Sequence, residues 1–154
     1  MFSIILYQPE IPANTGNIIR LCANTGAALH LVEPLGFQMD DKRLRRAGLD
    51  YHEYASVVMH RTWVECAGHF SGRRIFAVTT KGTQRYDRVM GTPGDVFLFG
   101  PETRGLPAEV LAAFDERHRI RVPMAERSRS LNLCNSVAVV LYEALRQQNF
   151  GDCR

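Results

Sequence analysis

The chain has 154 residues, 45% of them hydrophobic and 23% charged, with nineteen Lys and Arg against sixteen Asp and Glu. That is the size and mix of one soluble globular domain, expected to span residues 1–154, and a net charge of +3 is too mild to mark a nucleic-acid binder by itself. No apolar run approaches the roughly 20 residues of a membrane span, and the first residues read as a strand rather than a signal peptide, so the expected location is cytoplasmic.

Residues 2–7, FSIILY, read as a buried strand. NTGNIIRLCANTG predicts a helix over 14–26, with Asn14 or Thr15 as N-cap and Gly26 as its stop. ALHLVE (28–33) is a second strand and DKRLRRAG (41–48) a short basic helix. SVVMH (56–60) reads as a strand and TWVECAGHF (62–70) as a helix. RIFAVTT (74–80) and DVFLFG (95–100) are the clearest buried strands, and 81–95 between them is polar and loop-like. PAEVLAAF (107–114) is a helix with proline in its first turn. RIRVPM (119–124) is the last strand, and NLCNSVAVVLYEALRQQ (132–148) a final, strongly apolar helix. This alternation predicts an α/β fold with a mostly parallel sheet.

In such sheets ligands sit beyond the carboxyl ends of the strands. Three unusual loops follow strands there: TTKGT, GPETRGLP and PMAERSRSLN. Together they predict one pocket. The second is braced by Gly100, Pro101, Gly105 and Pro107 around Glu102 and Arg104. These two charges either pair on the surface, which is worth little, or form a rim facing a cofactor; the composition favours the rim. In the third loop Arg129, Asn132 and Asn135 exceed what capping one helix needs. On the helix over 14–26, Ile18, Leu21 and Cys22 share the core face and Arg20 falls opposite, near Asn17 and Asn24.

Other signatures are missing. There is no G-x-G-x-x-G after the first strand, no G-x-x-x-x-G-K-[ST] and no G-x-S-x-G. Four cysteines form no C-x-x-C, and Cys66 with His69 makes a lone C-x-x-H, so neither a metal nor a disulfide is expected. Basic residues cluster at Lys42, Arg43, Arg45 and Arg46, and again at Arg117, Arg119, Arg121, Arg127 and Arg129. Arginine's planar fork suits phosphate.

NTGNIIR, FLFGPETRGLP and IRVPM followed by SRSLNLCNSVAVVLYE stand in this order, with LYQPEIPANTGNIIRLCANTG at the start and DDKRLRRAGLDYHEY after it. In these motifs the chain resembles, over essentially its whole length, the SPOUT superfamily of RNA methyltransferases, and most closely its minimal TrmL-type tRNA 2′-O-methyltransferases. The resemblance implies an α/β fold whose mostly parallel sheet is flanked by helices and ends in a deep trefoil knot, a rare exception to the rule against knots. It implies S-adenosyl-L-methionine as cofactor and a homodimer with the first and last helices at its interface. The implied substrate is tRNA, methylated on the ribose of the first anticodon nucleotide, a cytidine or modified uridine in certain leucine tRNAs. By position it carries cofactor contacts to Val78, Gly100, Val122 and Ser130, with Thr79 and Leu131 adjacent. It carries the acting arginine to Arg20, with Tyr142 as a secondary candidate. Glu102, Asn14 and Asn132 are orienting candidates. The alternatives are the same chemistry on another RNA, or a non-catalytic RNA-binding dimer of the same fold.

Overall fold

The computed structural model describes residues 1–39 and 57–151; the basic helix expected over 41–48 lies outside them. Among the described residues seven strands form one sheet: β1 (Ser3–Tyr7), β2 (Ala28–Val32), β3 (Val57–His60), β4 (Ile75–Val78), β5 (Gln84–Arg85), β6 (Val96–Phe99) and β7 (Arg119–Arg121). Their order is β3-β2-β1-β6-β4-β7-β5, and every pairing is parallel.

The strands are apolar on both sides because both faces are covered. Phe2, Ile4 and Leu6 of the first strand segment, with Phe97 and Phe99 of β6, point to one face. There they meet Ile18, Ile19 and Cys22 of α1 (Pro12–Thr25) and Val137, Val140 and Leu141 of α4 (Leu133–Gln147). Ile5, Ala77, Val96 and Leu98 point to the other face. Cys66 of α2 (Trp63–His69) and Val110 and Leu111 of α3 (Ala108–Leu111) cover them. Burial raises the Cys22 and Cys66 thiols to about 12, so both behave as small core residues.

Three local expectations need correction. Helix α1 starts at Pro12 with Ile11 as its N-cap, not at Asn14 or Thr15. Proline suits the first helical position because it has no N–H to satisfy, and the cap comes from elsewhere in the chain, as described below. Its end is as expected: Gly26 takes the left-handed conformation at φ 69°. The helix expected over 107–114 closes at Leu111, because Ala113 and Phe114 bond three residues back and tighten the turn. Finally, the loop-like stretch 81–95 contains β5 and a 3₁₀ turn over Tyr86–Arg88. A two-residue polar strand at a sheet edge carries no apolar alternation to announce it.

The placement of β7 shapes everything near the pocket. Val78 at the end of β4 pairs with Ile120, and Gln84 at the start of β5 pairs with Ile120 from the other side. Residues 79–83 must therefore cross β7. They do so in close contact: a Cβ on Gly82 would lie 2.6 Å from the Ile120 carbonyl carbon and 2.9 Å from the Arg121 nitrogen. The crossing is tied down where the Thr79 N–H donates to the Ile120 carbonyl at 2.9 Å. Gly82→Ala is expected to destabilise the protein by roughly 1–3 kcal/mol, since this neighbour is backbone and cannot swing away. A lowered denaturation midpoint in urea checks this.

One polar pair is buried inside the sheet layer. His30 Nδ1 and His60 Nε2 lie 2.9 Å apart, each residue 4% exposed. Burial, helped by His60, His69 and Arg73, pushes His30 down to about 4, and burial also lowers His60 against the opposing pull of Glu65. The unfolded chain takes up this proton near pH 6.5. Stability is therefore expected to fall as pH drops from about 6.5 toward about 4, and to gain no further loss from His30 below that. Melting curves across this range check it, and His30→Asn should flatten the dependence.

Candidate functional site

At the carboxyl ends of β4, β6 and β7 the chain builds its site from three loops. The loop after β6 closes on itself. A Cβ on Gly100 would lie 2.3 Å from the Leu106 nitrogen and 2.4 Å from the Gly105 carbonyl carbon. Gly105 takes φ 68°, and its N–H donates to the Pro101 carbonyl at 3.0 Å. The two glycines are thus explained by one tight turn.

That turn presents Glu102 to a different part of the chain. Its carboxylate accepts from the Glu10 N–H at 2.8 Å, the Ile11 N–H at 3.1 Å and Asn14 Nδ2 at 3.1 Å. A carboxylate at the start of α1 also complements the positive end of the helix dipole. The bracing is reciprocal: Thr103 donates its N–H and Oγ1–H to Glu10 Oε2 at 3.1 and 2.7 Å. Arg104 donates to Gln8 Oε1 at 2.8 Å and lies 3.9 Å from Glu10. Glu102 and Arg104 therefore neither pair with each other nor stand loose on the surface. Asn14 extends the chain of bonds, because its Oδ1 accepts from Asn132 Nδ2 at 3.0 Å. Asn132 in turn caps α4, its side chain accepting from the Asn135 N–H at 3.3 Å. One continuous network thus joins the starts of both long helices to the loop after β6.

These elements enclose a cavity of about 600 Å³, within the span of small-molecule sites. Val78, Thr79, Gly100, Val122, Ser130 and Leu131 all line it, as do Asn14, Glu102 and Asn132. The chemistry of the wall fits a nucleoside-type cofactor: apolar flanks at Val78, Val122 and Leu131, hydroxyls at Thr79 and Ser130, and narrow glycine backbone between them.

Arg20 and Tyr142 do not line the cavity. Arg20 is exposed on the polar face of α1, and Tyr142 is 48% exposed on α4, its ring 6.5 Å from that of Phe150. Glu10 and Lys81 are further residues of the site that carry little signal of their own in the sequence. Glu10 has no local signal, since its partner is 93 positions away. Lys81 stands in the unusual TTKGT loop and lines the cavity. Among the described residues no three His, Cys, Asp or Glu are placed to hold a metal ion, and no helix is long and apolar enough to cross a membrane.

In a parallel α/β sheet, ligands sit at the carboxyl ends of the strands, where this cavity lies. Residues 1–142 match the SpoU rRNA Methylase family, and the chain belongs to it. A tRNA (cytidine(34)-2′-O)-methyltransferase of Methylovorus glucosotrophus strain SIP3-4 is 62% identical over 151 residues, 98% of each chain. A solved structure concerned with 2-OH methylation of C/U34 on tRNA superposes with TM-score 0.90 at 43% identity, covering 97% of each chain. The SpoU methyltransferase AviRb from Streptomyces viridochromogenes, solved with the cofactor AdoMet, has TM-score 0.78 and 27% identity, over 96% of this chain and 57% of that one.

Removing the brace should be measurable without any ligand. Glu102→Ala leaves three donors without their acceptor and is expected to cost about 1–3 kcal/mol in urea denaturation. Glu102→Gln keeps one acceptor oxygen and should lose less.

Proposed function

We propose that the chain transfers the methyl group of S-adenosyl-L-methionine to the ribose 2′-hydroxyl of the wobble nucleotide of tRNA, a cytidine or modified uridine in certain leucine tRNAs. The observation that carries this reading is the cavity. The four residues that match the family's cofactor contacts, Val78, Gly100, Val122 and Ser130, line one space of suitable size and chemistry together with the adjacent Thr79 and Leu131. The names of the relatives supply the nucleotide.

When bound, the cofactor supplies an electrophilic methyl group on a sulfonium. The chain's task is to hold the hydroxyl in line with that methyl and to stabilise charge developing on the ribose oxygen. Glu102, Asn14 and Asn132 hold the loop after β6 and the starts of α1 and α4 in one geometry. Arg20 is the electrostatic stabiliser and phosphate anchor, because a guanidinium is a poor base; the hydroxyl proton leaves to a phosphate oxygen or water. Arg20 sits on the exposed face of α1. The protein works as a homodimer built on α1 and α4, and Arg20 serves the cavity of the partner protomer. Supporting this pairing, α4 exposes Val139 and Tyr142 one turn apart on its outer face.

The C-terminal part is knotted in this reading. The crossing of residues 79–83 over β7 supports it, since β7 enters the sheet between two strands formed earlier in the chain. The exposed cations Arg117, Arg121, Arg127 and Arg129 contact tRNA phosphates, which makes binding salt-sensitive. The cytoplasm, where tRNA is processed, is the place of action.

Arg20→Ala is expected to bind the cofactor normally by calorimetry while single-turnover methyl transfer falls on the order of 100-fold or more. Normal turnover by that variant would remove Arg20 from the reaction. Mixing Arg20→Ala with a cofactor-binding variant should restore activity in the mixed dimer if Arg20 acts across the interface. Ribose-methylation mapping of tRNA from cells with and without the gene tests the substrate: an unchanged wobble nucleotide rejects the assignment.

A further inference from the structure

The cavity carries three cations on its wall: Lys81, Arg104 and Arg129. They are not equivalent. Arg104 is already engaged by Gln8 and Glu10. Arg129 stands in a stretch, 125–131, that is exposed throughout and whose described internal tie is one backbone bond, from the Ser128 N–H to the Ala125 carbonyl at 2.8 Å. Lys81 is exposed, and among the described residues its ammonium has no carboxylate at ion-pair distance.

The backbone beneath Lys81 is fixed on both sides. Thr79 bonds to Ile120, the Gly82 N–H donates to the Thr79 carbonyl at 3.0 Å, and the Lys81 N–H reaches Thr79 Oγ1 at 3.3 Å. Thr83 Oγ1 donates to the Glu116 carbonyl at 3.1 Å. Gly82, the next residue, is jammed against the backbone of β7. Lys81 is therefore a flexible cationic side chain on an immobile base, three positions past Val78 and two past Thr79. A recognition group on a rigid element holds its place better than one on an open coil.

Negative charge entering this cavity needs a partner. Its carboxylate, Glu102, is saturated by three donors and belongs to the brace. S-adenosyl-L-methionine brings one carboxylate of its own, on the end of the molecule away from the adenine. Moving that carboxylate out of water without a cation is costly. A lysine ammonium, a compact charge with three rotatable donors, suits a single carboxylate.

We propose that Lys81 is the cofactor's carboxylate ligand, reaching into the cavity from the loop that crosses β7. This rests on reading the cavity as the S-adenosyl-L-methionine site. Lys81 thereby makes the crossing loop part of the recognition surface, selecting amino-acid-bearing adenosyl sulfonium compounds over those lacking the carboxylate.

The test is calorimetry on the full-length protein with two probes that differ in that group alone: S-adenosyl-L-methionine and its decarboxylated analogue. Wild type is expected to bind the first about tenfold more tightly. Lys81→Met should weaken S-adenosyl-L-methionine by about the same factor, leave the decarboxylated analogue unchanged and so erase the preference; Lys81→Arg should recover part of it. Because Lys81 is exposed, the melting temperature should not move. Equal weakening of both probes would mean that Lys81 acts on the loop's shape and would overturn the assignment. Unchanged binding of both would overturn it too, and a concurrent loss of tRNA affinity with a shallower salt dependence would identify Lys81 as a phosphate contact instead. If wild type binds neither probe, the reading of the cavity itself falls, and this assignment falls with it.

Discussion

A single carboxylate holds the site together. Glu102 accepts from Glu10, Ile11 and Asn14 across a sequence separation of 88 to 92 positions. Without it the first turn of α1 would need a local cap, and Ile11 cannot supply one. With it, the loop after β6 and the start of α1 become one unit. Asn14 then passes the constraint to Asn132 and the start of α4. The cavity wall is thus fixed by a line of hydrogen bonds rather than by side-chain packing. Such bonds are directional, so they set angles as well as distances.

The second determinant is steric. Gly82 and Gly100 each sit where a Cβ would collide with backbone, against Ile120–Arg121 in one case and Gly105–Leu106 in the other. Both lie at the carboxyl end of a strand in the middle of the sheet. At these two points main chain is pressed on main chain, which leaves no room for a side chain at either glycine. Apolar residues such as Val78 and Val122 line what remains. The two faces of the sheet are packed independently, so the core supports this end of the molecule without contributing chemistry to it.

Much of this is legible in the sequence, and the exceptions share a cause. Alternating apolar runs reveal β1 and β6, Gly26 reveals the end of α1, and the three polar loops after strands converge on one cavity as their spacing suggests. The start of α1 is misread because Asn14 and Thr15 are good caps in isolation, while the actual acceptor is Glu102, far along the chain. β5 is invisible because Gln84 and Arg85 pair only through β7, a strand that follows them by more than thirty residues. Glu102 and Arg104 look like neighbours that pair, yet both turn to residues near position 10: Glu102 accepts from the Glu10 and Ile11 N–H groups, and Arg104 reaches Gln8 and the Glu10 carboxylate. Local pattern reports local forces; a contact made by a distant side chain leaves no periodicity behind.

The position of β7 has a consequence for synthesis. Most of the cavity wall comes from residues 78–81, 99–106 and 122–136, with Ile11, Asn14 and Leu111 beside them, so its last part leaves the ribosome when most of the chain is already out. Until then β4 and β5 have no strand between them to pair with. A nascent or truncated chain ending before residue 119 lacks both the third wall and the strand on which the crossing loop rests. A ligand bound in this cavity therefore stabilises the fold only once β7 is in place, and ligand-dependent protection gauges the insertion of β7 between β4 and β5.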